Sequence, residues 1–276
     1  MIPSISSSVS PKKHAMVVVG AGQMARAMVA GWQRQACPFS VIYTVDPHQV
    51  QDLGGGTMSC AHPSELPPLP QPFVVIFAVK PQILGSLLPQ WAEIAKTAQA
   101  VFSIAAGFSC LRLQQGLGRP VIRLMPNTPA AVGSGIVGYY IPPEVDSGAQ
   151  ALIQTLFSSL GMLVPVTSED DLNRITAFSG SGPAFVYAFL EALEQAALSL
   201  GFSPDQAPVM AQTLVQGSLS LKAATPQSPA ALREAVTSKG GTTEAGLSIL
   251  MHPHSGLFPL LKATVQAAYQ RAGEIQ

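Results

Sequence analysis

The chain has 276 residues, of which 47% are hydrophobic and only 11% charged, against about 25% charged in an average soluble protein. Its fifteen basic and fifteen acidic residues cancel, which leaves no basic face for general nucleic-acid or polybasic membrane-surface binding, while the apolar content favours collapse over disorder. Mean hydropathy is +0.32, yet the longest apolar runs, at 73–79 and 184–190, fall short of the ~18–20 residues that span a membrane. The length suits one large domain or two ordinary ones. The shortage of charge suggests a buried subunit interface, since interfaces deplete charge; an Ala-rich composition habit is the plainer alternative.

In chain order, residues 1–14 are rich in Ser and Pro, lack the apolar stretch of a signal peptide, and read as a disordered tail. From 15 to 167, short β-rich runs alternate with helical stretches. Strands are expected at 15–19, 41–45, 73–79, 100–105, 121–124, 136–141 and 162–166, and helices at 23–35, 81–96 and 145–160. This strand–helix repetition predicts an α/β, doubly wound parallel sheet of the dinucleotide-binding Rossmann type. Beyond 167 strand patterns almost vanish. Helices are expected at 170–178, 183–200, 204–224, 229–236, 243–250 and 257–272, with Pro near several of their starts. Ser203 and Gln206 read as a reciprocal cap. Residues 168–276 therefore form an all-α domain whose apolar faces call for helix-to-helix association between subunits. Cys37, Cys60 and Cys110 lie far apart without metal-ligand spacing, and their odd number argues against a disulfide framework. A reducing cytoplasm is the natural setting, and no metal is expected.

Val17-Val-Val-Gly20-Ala21-Gly22-Gln23-Met24-Ala25 is a strand entering G-x-G-x-x-A and then a helix. Gly20 permits the tight turn, Gly22 lets backbone approach a pyrophosphate, and Ala25 allows close helix–strand packing. The plainer reading is a Gly-rich βα turn. Asp46 ends the second strand slightly later than the usual spacing of about 20 residues. It either accepts hydrogen bonds from the adenosine ribose or starts a turn with Pro47, and His48 leaves a 2′-phosphate open.

Three later loops stand out. Lys80-Pro81 follows the 73–79 run, and Lys80 meets a phosphate or carboxylate or caps a neighbouring helix. Ala105-Ala106-Gly107 ends the next strand with residues small enough for close approach. Two prolines bracket Asn127-Thr128 within Arg123-Leu-Met-Pro-Asn-Thr-Pro-Ala-Ala-Val-Gly133 and stiffen that loop. In the helical half, Thr237-Ser238-Lys239-Gly240-Gly241-Thr242-Thr243 precedes a helix. Flexible backbone N–H groups, a helix start and hydroxyls suit a small carboxylate, or form a connector in which Thr242 or Thr243 caps the next helix. The glycines of Ser179-Gly-Ser-Gly-Pro-Ala-Phe185 permit a bend or close packing next to the active site; a helix break at Pro183 is the plainer reading.

Taken together, these motifs resemble the pyrroline-5-carboxylate reductase family from about Ala15 to Arg271. The resemblance implies reduction of L-1-pyrroline-5-carboxylate to L-proline with NADPH or NADH. It implies a Rossmann domain followed by a helical domain that interleaves with a second subunit, with substrate between the two kinds of domain in a homodimer; five such dimers form decamers in some members. Carried onto this chain, Gly20, Gly22, Gln23 and Met24 contact the pyrophosphate, and Ala78, Lys80, Pro81, Ala105 and Ala106 line the cofactor site, to which Asp46 and Asn127 are added. Ser238, Gly240, Gly241, Thr242 and Thr243 hold the substrate, with Thr243 at the ring nitrogen as the catalytic residue. Lys239 stands where many members have Pro, and Asp46 near where many NADPH users carry neutral or basic residues. Two rivals remain open: a β-hydroxyacid-type dehydrogenase using Lys222, Lys239 or Lys262 as acid or base, and a dinucleotide sensor without turnover.

Overall fold

The computed structural model describes residues 14–34, 37–48, 53–54 and 56–275. Apart from His14, the expected N-terminal tail lies outside the described residues, as do the last position of the 23–35 helix and the segment just after His48. The chain forms two compact units. One comprises the residues up to Gly180, rejoined by the chain from Tyr269 onward; the other is Ser181–Ala268.

The first unit runs β1 (His14–Val19), α1 (Gln23–Arg34), β2 (Phe39–Val45), β3 (Met58–Cys60), β4 (Phe73–Phe77), α2 (Pro81–Thr97), β5 (Ala100–Ser103) and α3 (Cys110–Leu117). It continues with β6 (Ile122–Met125), β7 (Gly135–Tyr140), α4 (Ala149–Phe157), β8 (Gly161–Pro165) and α5 (Glu169–Ile175). The strands form one eight-stranded sheet ordered β3-β2-β1-β4-β5-β6-β7-β8. Its first six strands follow the order of dinucleotide-binding sheets. Alternate residues of the apolar strands feed opposite cores, because successive side chains point to opposite faces. Met16, Val18, Val74 and Ile76 join Met28, Trp32 and Phe157 from α1 and α4. Val17, Val19, Val75 and Phe77 join Leu84, Trp91 and Leu113 from α2 and α3. Burial on both faces explains why these strands read as continuous hydrophobic runs.

The structure departs from the sequence reading at particular places. β7 is antiparallel to β6, a correction to the all-parallel expectation; the loop between them is too short for the crossover that parallel strands need. The 73–79 run stops pairing as a strand at Phe77, because Pro81 opens α2 soon afterwards. The 145–160 helix begins only at Ala149, after Asp146 Oδ1 accepts from Gly148 N at 2.7 Å in a turn. It ends in a 3-10 turn, Ser158–Leu160. α3 was not expected, although Ser109 accepts from Arg112 N at its start and Gly118 closes it in the left-handed conformation. After α5 the backbone widens into a π turn, Thr176–Gly180, at the boundary between the units.

The indole of Trp32 packs edge-on against Phe39 with ring centroids 4.9 Å apart. Its Nε1 donates to Leu156 O at 2.8 Å, a carbonyl in the last turn of α4, where carbonyls commonly look outside the helix for a donor. The returning C-terminus is anchored in the first unit at two points. Tyr269 Oη lies 3.0 and 2.9 Å from the carboxylate oxygens of Asp170. The Ile275 backbone lies against Gly107, where an added Cβ would come within 2.6 Å of Ile275 O.

The second unit is helical: α6 (Gly182–Ser199), α7 (Gln206–Ala224), α8 (Pro229–Ala235), α9 (Thr242–Leu250) and most of α10 (Leu257–Glu274). The expected cap before α7 is present, with Ser203 N donating to Gln206 Oε1 at 3.1 Å and Gln206 N to Ser203 Oγ at 3.2 Å. α6 buries none of its residues. Val186, Tyr187 and Phe189 of α6, and Leu214 and Leu219 of α7, are exposed. Such a contiguous apolar surface marks an interaction site. No described helix is long and apolar enough to cross a membrane.

Trp32→Phe keeps the apolar packing but leaves the Leu156 carbonyl without its donor, and should cost about 1–3 kcal/mol. Urea unfolding at one fixed protomer concentration checks this; an unchanged midpoint would contradict the capping role.

Candidate active site

Parallel strands β2, β1, β4 and β5 end level with one another. Val19 pairs with both Val45 and Phe77, and Phe77 pairs with Ser103. Four loops therefore leave the sheet side by side at its carboxyl edge, carrying Asp46, Gly20–Met24, Ala78–Pro81 and Ala105–Ala106. The hydrogen bonds continue one residue beyond the strands: Gly20 N donates to Val45 O at 2.8 Å, Ala78 N to Val19 O at 2.8 Å and Ile104 N to Phe77 O at 3.0 Å. The residues expected at a cofactor on these four loops are thus brought together, and Asn127 follows β6, which pairs parallel with β5 at the same edge.

Gly20 has φ +98°, and a Cβ there would lie 2.8 Å from Val79 Cγ1 and 2.9 Å from Ala78 O. Only glycine lets the Gly20–Met24 loop lie this close to the Ala78–Pro81 loop. Gly22 is the opposite case, since a Cβ there would meet nothing within 4 Å. Its backbone is open to a ligand at the start of α1, where unpaired N–H groups attract phosphate. This open cradle fits a dinucleotide pyrophosphate. Lys80 stands exposed just before Pro81 at the α2 start and makes no side-chain cap.

Asp46 is half-buried and held by two backbone donors: Ala21 N to Oδ2 and His48 N to Oδ1, each at 2.9 Å. The expected turn at Asp46 is therefore present, and the same carboxylate reaches across to the glycine loop. Asn127 is 5% exposed, with Nδ2 donating to Ser179 O at 3.0 Å and Oδ1 accepting from Ile136 N at 2.8 Å. Its side chain braces the Pro-bracketed loop against β7 and the π turn.

A polar network beneath the Ala105 loop was not anticipated. The guanidinium of Arg123, side chain 5% exposed, pairs with Glu169 Oε1 at 2.7 Å. It also donates to Ala105 O at 3.4 Å, while Glu169 Oε1 accepts from Cys110 N at 2.8 Å. One ion pair thus joins β6, the start of α3, the start of α5 and the small-residue loop. The guanidinium is buried while the Glu169 carboxylate is partly exposed, so removing the carboxylate would leave a buried charge unpaired, which is costly. The clue in the sequence was an arginine set inside an otherwise apolar strand. Burial pushes the Cys110 thiol up to about 12, assisted by the Glu169 carboxylate.

In the second unit, residues 238–243 form a turn entering α9. Gly241 N donates to Ser238 O at 3.0 Å, and Gly240 N to Glu244 Oε2 at 2.7 Å. α9 begins without a side-chain cap, so neither Thr242 nor Thr243 plays the capping part of the alternative reading. Both threonines are exposed, as are Ser238, Lys239 and Gly240. With Gly240 and Gly241 N–H engaged inside the chain, the N–H groups and hydroxyls of Thr242 and Thr243 are the donors best suited to an external carboxylate.

Residues 169–275 match the family model described as pyrroline-5-carboxylate reductase dimerisation. The chain is 32% identical over 266 residues to a pyrroline-5-carboxylate reductase of Pasteurella multocida, covering 94% of this chain and 96% of that one. Among solved structures it is similar to a Plasmodium falciparum pyrroline carboxylate reductase with NADP bound, with TM-score 0.83 and 25% identity over 95% of this chain and 98% of that one. It is likewise similar to a pyrroline-5-carboxylate reductase from Coxiella burnetii, with TM-score 0.81 and 28% identity over 96% and 99% of the two chains.

With its pKa raised, Cys110 stays protonated and unreactive at about pH 8.5, since the thiolate is the nucleophile. Alkylation of the native protein, located by peptide mass spectrometry, should leave Cys110 unmodified until the chain is denatured. Labelling at the same rate before and after denaturation would contradict the burial and the carboxylate's influence.

Proposed function

The chain belongs to the pyrroline-5-carboxylate reductase family, and from that premise we propose that it reduces L-1-pyrroline-5-carboxylate to L-proline with NADPH or NADH. The observation that carries this reading is the level row of four loops around an open glycine cradle, in a chain similar to these reductases over nearly its whole length. When bound, the nicotinamide cofactor supplies a hydride to the imine carbon. Gly20, Gly22, Gln23 and Met24 hold its pyrophosphate at the start of α1, while Ala78, Lys80, Pro81, Ala105 and Ala106 shape the wall along the neighbouring strand ends. Asn127 contributes by fixing the loop in which it lies.

The substrate carboxylate is taken by Thr242 and Thr243 N–H, with Ser238, Gly240 and Gly241 setting the backbone that presents them. The Thr243 hydroxyl orients the ring nitrogen and passes a proton through water; an ordinary hydroxyl is too weak an acid to act as the sole donor. A protonated cyclic imine is already electrophilic, so positioning supplies much of the acceleration. The lysines of the rival dehydrogenase reading are not needed for this chemistry. Homo-oligomerisation follows from the dimerisation match. We assign the apolar faces of α6 and α7 to a homodimer, with a decamer of five dimers as the larger assembly and the cytoplasm as its location.

Turnover is tested by following nicotinamide absorbance with pyrroline-5-carboxylate and each cofactor. Oxidation of at least one cofactor with formation of proline is expected; folded protein that binds cofactor but turns over no imine would contradict the assignment and favour the sensor reading. Thr243→Ala should lower kcat/KM about ten- to a hundredfold, the worth of one hydrogen bond to a charged group. Unchanged kcat and KM would remove Thr243 from the reaction.

A further inference from the structure

We propose that Asp46 sets the cofactor choice of this chain, favouring NADH and rejecting the 2′-phosphate of NADPH. The proposal rests on reading the first unit as a dinucleotide site and goes beyond it, since that reading accommodates either cofactor. The carboxylate stands at the carboxyl end of β2, where a dinucleotide bound on this glycine loop places its adenosine ribose.

Two features make Asp46 a fixed acceptor. Each oxygen is held by one backbone N–H, Ala21 N on Oδ2 and His48 N on Oδ1, both at 2.9 Å. A carboxylate has about four lone-pair sites, so capacity remains on both oxygens for hydroxyl donors. The Ala21 contact also ties the carboxylate to the glycine loop, so the ribose-binding and phosphate-binding parts are set by one side chain. A ribose 2′-hydroxyl can donate to such a group. A 2′-phosphate brings only like charge, and its approach is unfavourable.

The sequence that follows β2 carries no permanent positive charge to offset it. Residues 46–57 contain Asp46, Asp52 and His48 but neither Lys nor Arg. The guanidinium of Arg26 on α1 is directed to the glycine loop, with Nε donating to Ala21 O at 3.1 Å. A site built for a 2′-phosphate would place an arginine beside the end of β2; here a carboxylate occupies that end.

The test is isothermal titration of the native oligomer with NADH and with NADPH, which reads binding without turnover. NADH should bind about tenfold or more tightly than NADPH, the scale of one like-charge contact near a surface. AMP should likewise displace bound NADH better than adenosine 2′,5′-bisphosphate, a comparison that needs no variant. Asp46→Asn keeps the size and one acceptor while removing the charge, and should move the NADH-to-NADPH affinity ratio at least about fivefold toward NADPH. NADPH binding as tight as NADH, or a ratio unmoved in folded Asp46→Asn, would overturn the assignment of selectivity to Asp46. Binding of neither dinucleotide would instead remove the dinucleotide site itself, and this proposal with it.

Discussion

The first unit depends on four parallel strands ending level at one edge of the sheet. The register that pairs Val19 with Val45 and Phe77, and Phe77 with Ser103, brings four distant loops into one row. Shifting one strand by a residue would turn its side chains onto the other face and carry its loop out of line. The register is held by apolar side chains feeding two separate cores, so the same residues that stabilise the sheet also position the loops. At the row itself the contacts are short-range. Gly20 lies against Ala78 and Val79, and Asp46 binds the backbone of Ala21.

Much of this was legible because its causes are local. Strands buried on both faces must be apolar throughout, and 73–79 showed it. G-x-G-x-x-A after such a strand carries its own geometric requirements, which the glycine positions satisfy. Less legible were features set by pairing at a distance. β3 has three residues at a sheet edge, too few for a period to emerge. The antiparallel turn of β7 is decided by the length and stiffness of the loop before it, while the strand itself reads the same in either direction. The Arg123–Glu169 pair joins residues 46 positions apart, and neither residue alone announces the other. Asn127 stood in a recognisable motif, but its buried hydrogen bonds to Ser179 and Ile136 become visible only when the loop is folded.

The helical unit shows what composition conveys and where it stops. The scarcity of charge pointed to an association surface, and α6 and α7 do leave large apolar side chains exposed in a single copy. Both helices lie within the segment that matches the dimerisation family, and a large exposed apolar surface is what an association site requires. The turn before α9 is finer in grain. The hydroxyls and glycines suggested a place for a carboxylate. Which N–H groups remain for it depends on Glu244 and Ser238, which engage Gly240 and Gly241 from within the chain.

The reaction moves a hydride from a nicotinamide to the carbon of a cyclic imine. Reduced cofactor carrying deuterium at the transferring nicotinamide position, incubated with the enzyme and pyrroline-5-carboxylate, tests it most directly. Mass spectrometry of the product should find one deuterium in proline, bonded to the former imine carbon. Proline formed without deuterium from fully labelled cofactor, or labelled cofactor consumed without proline appearing, would contradict that transfer.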